Sequence, residues 1–315
     1  MTYAYLDWNI FNKIEKKTDT IYTKIEEIIL ENKILAPYSN AHINDLVRGY
    51  EKNQAYIQGH LNIIQKLTKN LCIVQYWGEK TVRWHFRDVF EFFNSALAEI
   101  ETSPKSFLNL FESFEKDIPE LATLWETQLS LLRSQQMPEG FKDLFKADPS
   151  FSLMFPKTKI QMNALAFCED LYEFATNSKK DYSVYKNLRN YVNQSRLKLK
   201  KQAGLFKEID KNMKNIPTYL NFDESWELHS NKSKISDNPV YQKITSVYQK
   251  IDFKGFKSDE KFSNMIDDSL HVFYAAHCDF FVTIDDKCMY KAGKTYEELK
   301  INTIVLSPED FLRSI

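Results

Sequence analysis

The spacing of apolar positions changes period several times along the chain, and each change predicts an element. Residues Tyr3 to Leu6 form a short apolar and aromatic run that stops at Asp7, the pattern of a buried strand delivering a carboxylate at its C-terminal end. From about Asp19, Ile21, Ile25, Ile28 and Ile29 recur at helical spacing, and Ile34, Leu35 and Ala36 then read as a second strand closed by Pro37. After Ser39 the helical period returns through Leu46, Val47, Tyr50, Ile57, Leu61, Ile64 and Leu67. Two β-branched and aromatic runs, 71–77 and 81–86, flank Gly78-Glu79-Lys80 and predict a β-hairpin.

From Val89 to about Phe206 the period is mainly helical. Phe107, Leu110, Phe111 and Phe114 make one stripe; Ile118, Leu121, Ala122, Trp125, Leu129 and Leu132 make another, both assigned to core. Polar sequence from Asn221 to Pro239 reads as a loop. Beyond it, Phe262, Ile266, Leu270, Val272, Phe273 and Ala276 suit a helix, and Phe280 to Thr283 a buried strand. Ile301 to Leu306 reads as a last strand before a short helix opened by Pro308. Strand–helix–strand alternation at both ends predicts an α/β fold with a parallel sheet covered by helices. Residues 1–60 and 245–315 are expected to form one α/β core, with 61–244 a mostly helical insertion carrying the hairpin near 71–86.

Composition supports a packed, helix-rich protein: of 315 residues 43% are hydrophobic, and only 7 are Gly and 9 Pro. No apolar run reaches the roughly 20 residues that span a bilayer, and the N-terminus lacks a secretory pattern, so a cytoplasmic protein without a membrane partner is expected. Cys72, Cys168, Cys278 and Cys288 form no CxxC pair and are expected to be reduced. The formal net charge of -1 gives no global attraction to a polyanion. Local charge changes that picture between Lys186 and Lys214, where nine basic residues meet only Glu208 and Asp210. Arg196, Lys198, Lys200 and Lys201 in that run are candidate phosphate contacts, with a solvated helix face as the alternative.

The acids gain meaning from position. Asp7 ends a strand, Asp45 lies one turn into the helix after a strand, Asp268 lies near the start of a helix, and Asp285 and Asp286 end a strand. In a parallel sheet these points gather at one carboxyl edge. Converging carboxylates repel and raise one another's pKa unless cations neutralise them, and an all-oxygen set selects a hard divalent ion, Mg²⁺ or Mn²⁺.

The segments Tyr5-Leu6-Asp7-Trp8-Asn9-Ile10-Phe11, Ser39 with Asp45-Leu46, Asp268-Ser269-Leu270-His271 and Asp279-Phe280-Phe281-Val282-Thr283-Ile284-Asp285 are similar, in order and spacing, to the PIN-domain nucleases. The closing run from Ile304 to Leu312 resembles that family's last strand and helix. The resemblance covers about fifty residues at each end. It implies a three-layer α/β/α sheet holding one or two Mg²⁺ or Mn²⁺ ions on Asp7, Asp45, Asp268 and Asp285, with Asn9 and Thr283 at supporting positions. It also implies cleavage of RNA. Two departures stand out: the second acid is commonly Glu and here is the shorter Asp45, and Asp267 adjoins Asp268. On a helix those two point about 100° apart, so one of them faces the metal, and Asp268 is preferred.

The expected activity is metal-dependent endonucleolytic cleavage, of RNA before DNA, as in a toxin or antiphage effector whose helical insertion selects substrate or binds a protein regulator. The alternatives are a nuclease for single-stranded or flapped DNA and a catalytically inactive binding module. His42, three residues before Asp45, is a candidate phosphate contact, with a solvent-facing role as the alternative; His271 is assigned a packed or hydrogen-bonded place. Trp77, Trp84, His85 and Phe86 are assigned to core packing, base stacking being the alternative. Walker, GxGxxG and Ser-nucleophile motifs are absent.

Overall fold

The computed structural model describes residues 2–50, 54–76, 78–102, 106–110, 122–147, 149–180, 186, 226–227, 237–255, 257–259 and 262–315. The chain divides into two compact units. The first comprises Met1–Thr102, Ser230–Asp259 and Asn264–Ile315; the second comprises Ser103–His229 with Glu260–Ser263.

In the first unit, strand β1 (Ala4–Leu6) leads into helices α1 (Trp8–Lys16) and α2 (Thr20–Leu30). Strand β2 (Tyr38–Ser39), helices α3 (Asn40–Tyr50) and α4 (Ile57–Thr68), the strands β3 (Leu71–Val74) and β4 (Arg83–Phe86), and helix α5 (Val89–Thr102) follow. Three residues of β1 are all buried, as in strands covered on both faces, and β5 (Phe280–Val282) pairs with it in parallel. Strand β6 (Ile304–Leu306) continues the sheet beyond β5, again in parallel. On the other side, Leu35 bridges Tyr3 in parallel, Tyr38 and Ser39 pair with Cys72 and Ile73 of β3, and β4 closes that edge antiparallel.

Strand order is therefore β6-β5-β1, then the segment carrying Leu35 and β2, then β3 and β4. Connections run outward from β1 in both directions, so the order reverses between β1 and β5. In open α/β sheets the crevice beyond the strands' carboxyl ends at such a reversal is where ligands bind.

Helix ends are chemically marked. Asp19 Oδ1 accepts from Ile21 N at the start of α2. Asn238 caps α11 (Pro239–Phe253), with Pro at the first turn. Asp285 caps α13 (Asp286–Leu299), and Ser307 caps α14 (Pro308–Ser314). Helix α12 (Phe262–Ala275) completes the set. Leu6, Ile10, Phe11, Ile25, Ile29, Leu46, Val47, Ile64, Leu67, Val89, Val282 and Phe311 belong to one buried cluster.

This cluster corrects the expected boundary of the core. Residues 61–102 were expected in the insertion; Leu61, Ile64, Leu67, Cys72, Val74, Val89 and Phe93 instead bury their side chains in the same core as β1. The hairpin is present, but its exposed strand is not core: Phe86 is 76% exposed and Trp84 37%. As the sheet's edge, β4 pairs with β3 alone among the described strands.

The second unit is helical among its described residues: α6 (Ala122–Ser134), α7 (Gly140–Ala147), α8 (Pro149–Met154), α9 (Pro156–Gln161) and α10 (Ala164–Lys180). Phe141, Phe151 and Met154 form its buried centre, with Phe155, Phe167 and Phe174 packed around them. Buried Asp170 accepts from the backbone N–H groups of Lys157 and Thr158 and from the Thr158 hydroxyl, closing the start of α9. Within the stripe at 118–132, Trp125, Leu129 and Leu132 are half-buried, and Ile118 and Leu121 lie outside the described residues. All four cysteines are free thiols. Among the described residues no helix is long and apolar enough to cross a membrane.

Candidate acidic site at the strand-order reversal

Alternation along β1 puts Tyr5 and Asp7 on one face, and the register with β5 puts Phe281 and Thr283 beside them. Asp7 N–H bonds to Val282 O, and Thr283 N–H to Leu306 O, so the hydrogen-bond ladder carries on to the site itself. The Thr283 hydroxyl donates to Asp7 Oδ2 at 2.7 Å, and Asn9 Nδ2 lies 3.4 Å from the same oxygen. Asp7 stands at the N-cap position of α1 without capping it through its side chain. Burial pushes its carboxyl above the usual range, with His271 and Thr283 opposing and Asp45 adding to the rise.

Helix α12 brings Asp268 and His271 to this region. They are three residues apart and so share a face. Burial, then the charges of Asp259 and Asp7, hold the Asp268 carboxyl well above the ordinary value. Asp7 and Asp268 thus lie within electrostatic reach of one another. Tyr248 Oη is 3.4 Å from Asp268 Oδ2. Adjacent Asp267 turns the other way and pairs with Arg48.

Helix α3 supplies Asp45, both of whose oxygens are engaged. Oδ1 pairs with Arg48, and Oδ2 lies 2.9 Å from His271 Nε2. Burial works against ionisation of Asp45, but His271 and Arg48 overcome it and hold the carboxyl below the ordinary range. Burial likewise works against the His271 proton. The hydrogen bond to Asp45 and the charges of Asp45, Asp7 and Asp268 outweigh it, and the imidazole is pushed up to about 9. A charged ring donates from both nitrogens: Nε2–H to Asp45 and Nδ1–H to Tyr5 Oη, 2.9 Å away. Tyr5 in turn donates to Ser39 Oγ at 2.7 Å.

His42 has a different place from the phosphate contact or solvent-facing role expected of it. It is fully buried; Nδ1 accepts from Ser39 N–H at 3.0 Å and Nε2–H donates to Leu6 O at 2.8 Å. Burial and the neighbouring His271 charge bring its pKa down to about 3, so it is neutral. Helix α3 opens directly from β2 and points His42 back beneath β1 rather than outward. Ser39, also fully buried, works with His42 and Tyr5 rather than with Asp7.

Asp285 Oδ1 accepts from Lys287 N at 2.8 Å and Cys288 N at 2.9 Å, which caps α13. Asp286 is exposed in that helix's first turn, where a negative charge favours the helix dipole. Asp285 reaches the group electrostatically through Asp259. Arg196, Lys198, Lys200 and Lys201 lie outside the described residues.

Sequence reasoning missed Lys291, Asp252 and Asp259. The Lys291 ammonium is fully buried, 2.9 Å from Asp252 Oδ1 and paired with Asp259. It lies 4.8 Å from the centre of the Tyr248 ring. Asp252 Oδ1 also accepts from Asp259 N–H at 2.7 Å, tying the turn after α11 to its own helix. In sequence these are ordinary charges, Asp252 and Lys291 in helical segments and Asp259 in the segment between two helices; no spacing signal marks them.

Each cation is already committed: Lys291 to Asp252 and Asp259, Arg48 to Asp45 and Asp267, His271 to Asp45. Among the described residues, Asp7 and Asp268 are held by neutral donors alone. No three or more His, Cys, Asp or Glu side chains among the described residues close into a metal-ligating set. Two hard carboxylate ligands are nevertheless the donor type that Mg²⁺ takes, since it keeps most of its waters and is commonly held by one or two carboxylates.

His271 is 2% exposed and faces Asp7, Asp45, Asp268, Tyr5 and neutral His42. Its pKa is raised on folding. The stabilisation is therefore complete below the unfolded value of 6.5 and is lost as pH rises through about 9. Denaturant unfolding in EDTA is expected to lose on the order of 3 kcal/mol from this group over that window. His271→Gln should remove this alkaline limb, and an unchanged limb in that variant would refute the assignment.

Comparison of the chain with protein-family models, with curated proteins and with solved structures finds no match in any of the three.

Proposed function

We propose that this chain is a metal-dependent endonuclease with a PIN-like core, acting on RNA in preference to DNA. One observation carries the reading: Asp7 stands at the carboxyl end of β1, beside Thr283 at the end of β5, where strand order reverses, and is electrostatically coupled to Asp268. The sequence resemblance supports it independently, because the same residues occupy the family's acidic and supporting positions.

Asp7 and Asp268 would hold Mg²⁺ or Mn²⁺. Such an ion, when bound, lowers the pKa of a water and stabilises a leaving phosphate-ester oxygen. Thr283 and Asn9 fix the Asp7 carboxylate through one oxygen, and Tyr248 steadies Asp268. Asp45 is held by Arg48 and His271 and acts as an orienting carboxylate. Asp285 shapes the start of α13. Arg48, 41% exposed and paired with Asp45 and Asp267, would offer its guanidinium to a phosphodiester.

The test is incubation of the purified chain with end-labelled RNA and DNA of matched sequence, in Mg²⁺, Mn²⁺ or EDTA, with product ends determined. Metal-dependent internal cuts in RNA support the reading. Preferential cutting of single-stranded or flapped DNA favours the other nuclease, and no cutting of either favours an inactive binding module.

The basic run at 186–214 is proposed as a phosphate-binding segment. Neutralising Arg196, Lys198, Lys200 and Lys201 together should lower the salt slope of RNA binding by about 3 to 4, near 0.7 to 0.9 for each phosphate no longer neutralised. An unchanged slope would make the run a solvated face.

A further inference from the structure

The run Lys80-Thr81-Val82-Arg83-Trp84-His85-Phe86-Arg87 mixes cations with aromatic rings, and the acidic site uses none of it. Core packing does not account for the rings, since Phe86 and Trp84 are both exposed; Trp77, just upstream, lies outside the described residues. Side chains alternate along β4, so Trp84 and Phe86 share one face of the strand. The Trp84 ring packs against Tyr3, centre to centre 4.9 Å, which holds it in place. Two residues along a strand are about 6.7 Å apart, roughly twice the 3.4 Å rise of stacked bases in a duplex strand. The two rings therefore suit successive bases of an extended single strand. A duplex keeps its base faces covered.

Charge identifies the occupant. Lys80 and Arg83 are exposed, and Glu79 is the one acid between Gly78 and Arg87. Arg83 pairs with Glu79 and lies 5.8 Å from the centre of the Tyr76 ring, yet its side chain is 63% exposed. A guanidinium fixed in this way is already oriented for a phosphate. An added protein strand is the poorer occupant, because β4 is four residues long and charged side chains on a short edge disfavour strand pairing. Place in the sheet agrees. Arg83 sits opposite Val74, the last residue of β3, and β3 runs parallel to β2. The turn before β4 thus leaves the sheet at the carboxyl ends of the parallel strands, the edge that carries Asp7.

We propose that β4 is a stacking platform for single-stranded nucleic acid, with Trp84 and Phe86 taking successive bases and Lys80 and Arg83 the phosphates beside them. The inference rests on the nucleic-acid reading above and specifies where the substrate strand is held.

Fluorescence anisotropy tests it with the full chain in EDTA, so that metal-dependent cleavage does not enter. The probes are a labelled single-stranded RNA, DNA of the same sequence, and the RNA duplex. The parent is expected to bind the single strands more tightly than the duplex. Phe86→Ala, a change at an exposed position, should weaken single-strand binding by about 5- to 150-fold, the usual effect of removing one stacking ring. Phe86→Tyr should bind within about threefold of the parent, whereas Phe86→Leu, which keeps apolar surface without a ring, should resemble Phe86→Ala. Lys80→Gln with Arg83→Gln should lower the salt slope by about 1.4, near 0.7 for each phosphate of a single strand.

Unchanged affinity in Phe86→Ala, or Phe86→Leu binding as tightly as Phe86→Tyr, overturns the platform, and so does a parent that binds neither single strand. Metal-dependent cleavage together with affinity that ignores Phe86 removes the platform and leaves the nuclease reading standing. Ring-dependent binding without cleavage does the reverse. Tighter ring-dependent binding of DNA than of RNA keeps the platform and makes single-stranded DNA its ligand.

Discussion

Replacing Asp7 and Asp268 together by Asn is expected to reduce metal-dependent cleavage by at least about 10³-fold while leaving the fold intact. Asn keeps the shape and the hydrogen-bonding oxygen of each side chain, so Thr283 and Tyr248 retain an acceptor. What is lost is the negative charge available to a divalent ion. In EDTA the same change should stabilise the protein. Both carboxyls are held above their ordinary value by burial first and by neighbouring acids second. A carboxyl raised in this way binds its proton more tightly folded than unfolded, so its ionisation lowers native stability as pH rises from 3.8 upward. At neutral pH, above the unfolded value, the parent bears that cost.

Thermal melts at neutral pH should therefore place the double variant about 2 °C or more above the parent without metal. With Mn²⁺ the parent should rise, and the double variant should not. Full cleavage by a well-folded double variant would refute the site. Loss of cleavage with a lowered melting temperature in EDTA would point instead to damage of the fold.

The parts of this site that depend on backbone order were legible in the sequence. An apolar run ending in an acid reads directly as a strand delivering Asp7, and the same logic recovers Thr283 at the end of β5. Alternation then predicts which side chains share a face. Parts that depend on which helix packs where were not legible. His271 meets Tyr5 across 266 positions and Asp45 across 226, and nothing local distinguishes it from a histidine packed in an apolar helix face.

His42 shows the opposite error: its nearness in sequence to Asp45 suggested a place at the mouth of the site. The backbone of Leu6 takes its Nε2–H instead, and the ring is fully buried. The second strand was displaced for a local reason. Ile34, Leu35 and Ala36 are apolar as expected, but Pro37 has no N–H to give a ladder. Pairing with β1 therefore stops at Leu35, and pairing with β3 starts at Tyr38. The helices of residues 57–68 and 89–102 were likewise visible as periodicity. Their membership in the core was not, because it is decided by the cluster they enter.

Lys291 gives the second large expectation, which is one of stability. Its ammonium is fully buried with Asp252, itself fully buried, and Asp259. Burial opposes its charge, and the two carboxylates more than compensate, so it remains protonated. Lys291→Met removes the cation and leaves two buried carboxylates facing each other, beside an Asp268 that already feels Asp259. Breaking a buried ion pair from one side typically costs about 3 to 5 kcal/mol, most of it from the stranded charge. The loss should be largest at neutral pH and shrink in acid, where Asp259, already raised by burial, takes up a proton. Adding Asp252→Asn and Asp259→Asn to Lys291→Met should restore more than half of the stability. The cost lies in two buried carboxylates that no longer have the Lys291 charge between them, rather than in the ammonium's own contacts. If the triple variant is no more stable than Lys291→Met alone, contacts of the lysine stem and its place over the Tyr248 ring carry the energy instead. Equilibrium urea unfolding of the parent, Lys291→Met, the Asp252→Asn, Asp259→Asn double variant and the triple variant, repeated in acid and at neutral pH, separates the two outcomes.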